Sequence, residues 1–169
     1  MKIRKAETGD EKNIASVIIS TWKDAYQGIV PDDFLMSLNT EKHEQLFKEQ
    51  IKEQKETIII LENDDKRIVG MVLGGKDRSG AFDCEIVAIY VLPEYQKQGY
   101  GKLLFKHIIE EHKKHSYKSM IIWTFEKNKD QRFYEKLGGI IQKTSNHIIN
   151  GKAIPIVGYV WEDISKIKG

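Results

Sequence analysis

One stretch constrains the rest of the chain. Ile86 to Leu92 is a near-continuous apolar run rich in β-formers, the pattern of a strand buried on both faces. Pro93 follows, and a residue without an N–H ends a ladder. Gly99 and Gly101 come next, and both accept the positive φ of a tight turn. Leu104 with Ile108, and Phe105 with Ile109, then recur at i,i+4, which predicts a helix from Lys102 to about His115. Strand, stop, turn and helix in this order gather free backbone N–H groups at a helix N-terminus. That is an anion site suited to a pyrophosphate.

Three glycine signatures compete for this turn. A P-loop needs glycine at position 96 and Ser or Thr after Gly101-Lys102; the chain has Gln96 and Leu103. A dinucleotide fingerprint needs a third glycine at position 104, which holds Leu. What fits is Gln/Arg-x-x-Gly-x-Gly/Ala, here Gln96-Lys97-Gln98-Gly99-Tyr100-Gly101, directly after a strand ending Tyr90-Val91-Leu92-Pro93. This resembles motif A of the GCN5-related N-acetyltransferases (GNAT). The resemblance implies that the N–H groups of Lys97, Gln98, Gly99, Tyr100, Gly101 and Lys102, with the Gln96 side chain, hold the pyrophosphate of acetyl-CoA. It also implies that backbone groups of Ile89, Tyr90 and Val91 pair with the pantetheine arm like an added strand.

The remaining elements agree with one domain over residues 1–169. Lys2 to Ala6 reads as a strand. Thr8 with Glu11 predicts a capping box for a helix whose stripe is Ile14, Val17, Ile18, Thr21, Trp22 and Ala25. Helices over Asp32–Leu38 and Glu41–Gln54 follow, the second capped by Asn39 or Thr40. Strands Thr57–Glu62 and Arg67–Gly75 flank the polar turn Asn63–Lys66. The central strand, Phe82–Leu92, shows Glu85, Val87, Ile89 and Val91 on one face by simple alternation. Beyond its helix come a buried strand at Lys118–Thr124, a helix at Asp130–Leu137 stopped by Gly138, and strands Ile140–Ile149 and Ala153–Trp161 around Asn150-Gly151. The expected fold is α+β (a three-layer α/β arrangement): a mixed, mostly antiparallel sheet with helices on both faces. The resemblance, which spans nearly the whole chain, names it as the acyl-CoA N-acyltransferase fold.

A second segment, Asn128 to Gly138, resembles the family's motif B through Asn128, Phe133, Tyr134 and Gly138; Gln131 and Gly139-Ile140 depart from it, standing where Ala and Phe are common. The resemblance implies that Asn128 meets the CoA arm and that Tyr134 protonates the departing sulfur, a role a phenol suits. An amine acceptor is charged at neutral pH, so a base is expected. Glu85, eleven residues before Gln96, stands where a glutamate serves as base in the histone-acetylating branch, and Asp83 is the reserve. Thr21-Trp22-Lys23-Asp24-Ala25-Tyr26-Gln27-Gly28-Ile29-Val30-Pro31 resembles a segment recurring in a bacterial group of the family, whose first helices cover the acceptor. Trp22 and Tyr26 at i,i+4 would give a flat aromatic wall, and Asp24 would meet a cationic amine. Trp22 reads first as core, so Tyr26 and Asp24 are the stronger pocket candidates.

Composition narrows the partners. Lys plus Arg number 27 against 25 Asp plus Glu, a net charge of +2, which offers no nucleic-acid footprint. No apolar run approaches the ~20 residues of a membrane span, and the N-terminus lacks the apolar core of a signal peptide. Cys84 is the single cysteine, so no intrachain disulfide forms; a buried inert thiol in the cytoplasm is expected. The five histidines show no metal spacing; His107, His112 and His115 read as the surface of one charged helix. The resemblance implies an acetyl-CoA-dependent N-acetyltransferase without a metal, in which a primary amine attacks the thioester directly, with a homodimer plausible from family habit alone. A non-catalytic acyl-CoA sensor of the same fold and, more distantly, a dinucleotide enzyme stand as alternatives.

Overall fold

The computed structural model describes residues Met1–Ile167. Among them, β1 (Lys2–Lys5), α1 (Glu11–Ala25), α2 (Asp32–Ser37), α3 (Thr40–Glu53), β2 (Thr57–Glu62) and β3 (Ile68–Lys76) precede the central β4 (Cys84–Val91). After it come α4 (Tyr100–Lys114), β5 (Met120–Phe125), α5 (Gln131–Lys136), β6 (Ile140–Ile149) and β7 (Lys152–Trp161). The strands form one sheet in the order β1-β2-β3-β4-β5-β7-β6. Only β4 and β5 run parallel; every other pair is antiparallel. This is the mixed, mostly antiparallel sheet that the sequence predicts.

The sheet is covered on both faces. Gly70 and Gly74 of β3 face Leu104 and His112 of α4. On the other face, α1 packs on β3 and β4, and α3 lies against α1. β3 is therefore buried from Ile68 to Gly75, which explains its unbroken apolar sequence. The core joins Ile14, Val17, Ile60, Met71, Ile86, Phe105 and Ile108. β6 is the open edge, exposed along Ile140–Ile148.

Three expectations are corrected. Thr8 does not cap α1: the N-cap is Asp10, and no side chain caps the helix. The Arg4 guanidinium holds Asp10 at 2.6 and 2.9 Å, and Glu11 turns back to Gly9 N–H at 2.8 Å. His112 is not at the surface but 1% exposed, because its turn of α4 lies over Gly74, where a Cβ would come within 3.0 Å of the imidazole Nε2. The third concerns β4. Leu73 pairs with Ala88 but Gly74 pairs with Ile86, so Val87 is an extra residue, a β-bulge. Paired residues share a face, so the bulge reverses the alternation: Glu85 lies with Ala88 and Tyr90 toward α1, and Ile89 and Val91 lie with Ile86 toward α4.

Candidate active site

The site begins where β4 leaves β5. The two strands pair only at Cys84–Met120, Glu85–Ile121 and Ile86–Ile122. Beyond that, β4 stays with β3 through Val91 and β5 stays with β7 through Phe125, so a gap opens between them. Leu92 N–H donates to Val69 C=O on the β3 side at 2.9 Å. Backbone direction alternates along a strand, so the N–H and C=O groups of Ile89 and Val91 point into the gap. Those of Tyr90 point to β3, and Tyr90 meets the gap with its side chain instead. The Gln96 amide donates to Val91 C=O at 2.9 Å, which fastens the turn to the strand end.

The turn then presents its amides. Lys97 has φ 59° and Gly99 has φ 88°, and α4 starts at Tyr100, two residues earlier than the apolar pattern indicates. Leu103 N–H donates back to Gly99 C=O at 3.0 Å. Among the described residues, no protein acceptor meets the six amides from Lys97 to Lys102. Gly101 lets α5 close on this turn, since a Cβ there would lie 3.2 Å from the Phe133 ring.

Gap and turn open into one cleft of about 670 Å³, a size that holds a cofactor-scale ligand. Of the residues singled out in the sequence, Tyr26, Ile89, Tyr90, Val91, Gln96, Lys97, Gly99, Gly101, Lys102, Asn128 and Tyr134 line it. Gln98 and Tyr100 do not, although their N–H groups belong to the turn; the Gln98 side chain turns away to Glu94 C=O at 3.2 Å. The sequence reading did not single out Lys129, Asp130, Arg132 and Lys136, which also line it. With Lys97 and Lys102 they give the cleft five basic side chains against one carboxylate, a field that draws a polyphosphate.

Buried phenols stand at the gap. Tyr134, on the first turns of α5, is 8% exposed and packs edge-on against Phe133 and tilted against Tyr159, both at 5.3 Å. Burial, with Tyr90 and Asp130 nearby, pushes its hydroxyl well above the usual phenol range. Thr124 faces that hydroxyl and accepts from the Asn128 amide at 2.8 Å. Tyr26 meets Trp22 at 4.9 Å and Phe125 at 4.8 Å, both edge-to-face, so Trp22 and Tyr26 do not make a flat wall. Trp22 Nε1 donates to the Tyr90 hydroxyl at 2.8 Å and does not line the cleft. Asp24 is exposed and also lies outside it.

Glu85 is not brought to the phenols. It lies at the paired end of β4, 4% exposed, outside the cleft. Its carboxylate is covered by the Arg78 guanidinium, whose own pKa it raises. Outside the cleft and covered by Arg78, Glu85 has no direct contact with an amine bound there. The reserve candidate Asp83 takes the N–H groups of Lys118 and Ser119 at 2.8 and 2.9 Å, and those bonds lower its pKa. Cys84 is fully buried, and burial raises its thiol to about 12, as an inert thiol requires.

The residues fit acetyl-CoA. The free amides and basic side chains suit a pyrophosphate, the backbone of Ile89 and the N–H of Val91, unpaired toward β5, suit an extended amide-bearing arm, and the phenol at the end suits a leaving sulfur. The sequence profile described as "Acetyltransferase (GNAT) family" matches residues 21–139. The chain is 31% identical over 168 residues to "Uncharacterized N-acetyltransferase YuaI" of Bacillus subtilis (strain 168), covering 98% of this chain and 95% of that protein. It is 27% identical to "Probable N-acetyltransferase Rv2775" of Mycobacterium tuberculosis (strain ATCC 25618 / H37Rv), covering 94% and 92%. The PaiA N-acetyltransferase of Thermoplasma acidophilum, solved with coenzyme A, superposes with a TM-score of 0.73 at 17% identity, over 95% of this chain and 98% of that one.

Proposed function

The chain belongs to the acetyltransferase (GNAT) family and is by that membership an acetyl-CoA-dependent N-acetyltransferase; on that premise we propose that it acetylates a primary amine by direct attack, with Tyr134 as the proton donor. The observation that supports this reading is the gap at Ile89–Val91, which ends on six free amides at one side and on a buried phenol at the other.

Acetyl-CoA supplies a thioester whose carbonyl is open to an amine and whose sulfur leaves. The amides of Lys97–Lys102 hold the pyrophosphate, and Lys97, Lys102 and Arg132 compensate its charge. The backbone groups of Ile89 and Val91 align the arm, and Asn128 reaches it from the other wall. The Val91 N–H polarises the thioester carbonyl; one such donor lowers a barrier by about 3 kcal/mol. Tyr134, protonated throughout the neutral range as any phenol is, stands at the end of the gap and delivers that proton as the C–S bond breaks. The acceptor sheds its proton to water in the open cleft, since Glu85 lies outside it. The reaction takes place in the cytoplasm, where acetyl-CoA and a reduced Cys84 both belong.

Thiol release from acetyl-CoA across a panel of amines, run beside calorimetric titration of acetyl-CoA, tests this reading. Tight acetyl-CoA binding with amine-dependent thiol release supports it. Binding without release for any amine converts the protein to an acyl-CoA sensor. Light scattering decides between a monomer and the homodimer that the family habit favours.

A further inference from the structure

The phenol at the end of the gap is held from behind by a buried hydroxyl. Thr124 stands near the end of β5 and is 6% exposed. The β5–β7 register pairs Ile122 with Tyr159 and Thr124 with Val157 without a break, so Thr124 shares a face of the sheet with Tyr159. Tyr134 of α5 lies on that face, its ring 5.3 Å from the ring of Tyr159. The hydroxyls of Thr124 and Tyr134 face each other there.

The contact has a direction, and Asn128 sets it. Asp130 N–H donates to Asn128 Oδ1 at 3.0 Å, which leaves Nδ2 as the donating end of that amide. Nδ2 donates to Thr124 Oγ1 at 2.8 Å in a buried contact. Thr124 therefore accepts from Asn128 and has its own hydrogen to give to the phenol. A phenol oxygen that accepts from Thr124 keeps its single hydrogen for another partner. Tyr134 lines the cleft, so the gap is where that hydrogen points. The chain runs one way: Asn128 amide to Thr124, Thr124 hydroxyl to Tyr134, Tyr134 hydroxyl to the gap. Burial raises the Tyr134 pKa and the Thr124 bond lowers it, the sign that a donor to the phenol oxygen gives.

We propose that Thr124 is a positioning residue for the transfer: it turns the Tyr134 hydrogen toward the departing sulfur and holds the phenolate oxygen that the transfer leaves behind. This rests on the acetyltransferase reading above and adds a residue to its proton-donor step. In that step the amine lone pair forms the new C–N bond to the acetyl carbon, the C–S electron pair passes to sulfur, and the sulfur takes the Tyr134 proton. The negative charge then sits on the phenol oxygen, where a hydrogen bond from Thr124 is stronger than it was to the neutral phenol. The amine's proton goes to water, and water returns a proton to Tyr134. Thr124 keeps its own hydrogen throughout.

The test is thiol release from acetyl-CoA with hydroxylamine, which is uncharged at neutral pH and stands in for the amine, beside calorimetric titration of acetyl-CoA. Thr124→Val keeps the side chain's shape and removes the hydroxyl, whereas Thr124→Ser keeps the hydroxyl. Thr124→Val should lower kcat about ten-fold while leaving acetyl-CoA affinity unchanged, and Thr124→Ser should recover most of that loss. In a Tyr134→Phe background, Thr124→Val should cost nothing further, because its effect passes through the phenol; a merely structural role would lower kcat in both backgrounds. Full kcat in Thr124→Val, an equal loss in the Tyr134→Phe background, or a serine variant as slow as the valine overturns the proposal and leaves Tyr134 standing as the donor. Unchanged kcat in Tyr134→Phe, or no release by the wild-type protein while acetyl-CoA binds, removes the donor and the proposal together. Absence of acetyl-CoA binding removes the underlying reading as well.

Discussion

The two halves of β4 have opposite fates. From Cys84 to Ile86 the strand is paired on both edges; its carboxylate is ion-paired and its thiol is buried. From Ile89 to Val91 one edge is unpaired, and the backbone and side chains there line the cleft. Val87, the bulged residue, stands between them. The difference teaches that position along a strand does not decide a residue's chemistry; what decides it is whether the neighbouring strand still occupies the edge and which face the register turns outward.

Substitutions that separate the halves test this comparison. Tyr134→Phe, at the open end, should lower kcat about 100-fold with acetyl-CoA KM little changed, since it removes only the proton donor. An unchanged kcat breaks the assignment. Gly99→Val should weaken acetyl-CoA binding about 30-fold by calorimetry, because a β-branched residue at φ 88° resists the turn that aims the amides. Normal affinity in that variant would remove the turn from the site.

The paired half should respond in stability instead. His112, over Gly74 and beside that half, has neither ring nitrogen hydrogen-bonded among the described residues, and burial lowers its pKa from 6.5 to about 4. The folded state therefore binds fewer protons than the unfolded chain between those values. The contribution is whole above pH 6.5 and is lost as the pH falls toward 4, a change of roughly 3 kcal/mol in the urea-unfolding free energy. His112→Leu should flatten that dependence; an unaltered slope would show the imidazole is not the group responsible. The smallest effect is expected from Glu85→Gln: kcat within about two-fold and an unmoved acidic limb of the pH–rate profile, with Tm about 3 °C lower from the weakened Arg78 contact. Loss of the acidic limb would restore Glu85 as the base and dissolve the contrast between the halves.

Much of this was legible in the chain itself. Gln96–Gly101 and the strand before it announced the anion turn because glycine spacing and a terminal proline have few other uses. Asn128 and Tyr134 were found through the same resemblance. What escaped had physical reasons. A bulge is a pairing event, so nothing within Glu85–Val91 alone reveals that Val87 is skipped and that the later residues change face. The basic rim of Lys129, Arg132 and Lys136 is hidden by a near-neutral net charge, because a sum says nothing of where charges gather. Arg78 over Glu85 joins a loop to a strand, a contact that no helix or strand period encodes. His112 looked like surface because its helix is charged, yet the close approach at Gly74 pulls that turn inward.

Hydrogen exchange of individual amides with and without acetyl-CoA decides whether the open half of β4 and the turn after it grip acetyl-CoA. Strong new protection is expected at Ile89, Val91 and Lys97–Lys102, with Glu85 and Ile86 unchanged. Protection confined elsewhere, or none at saturating acetyl-CoA, would contradict it.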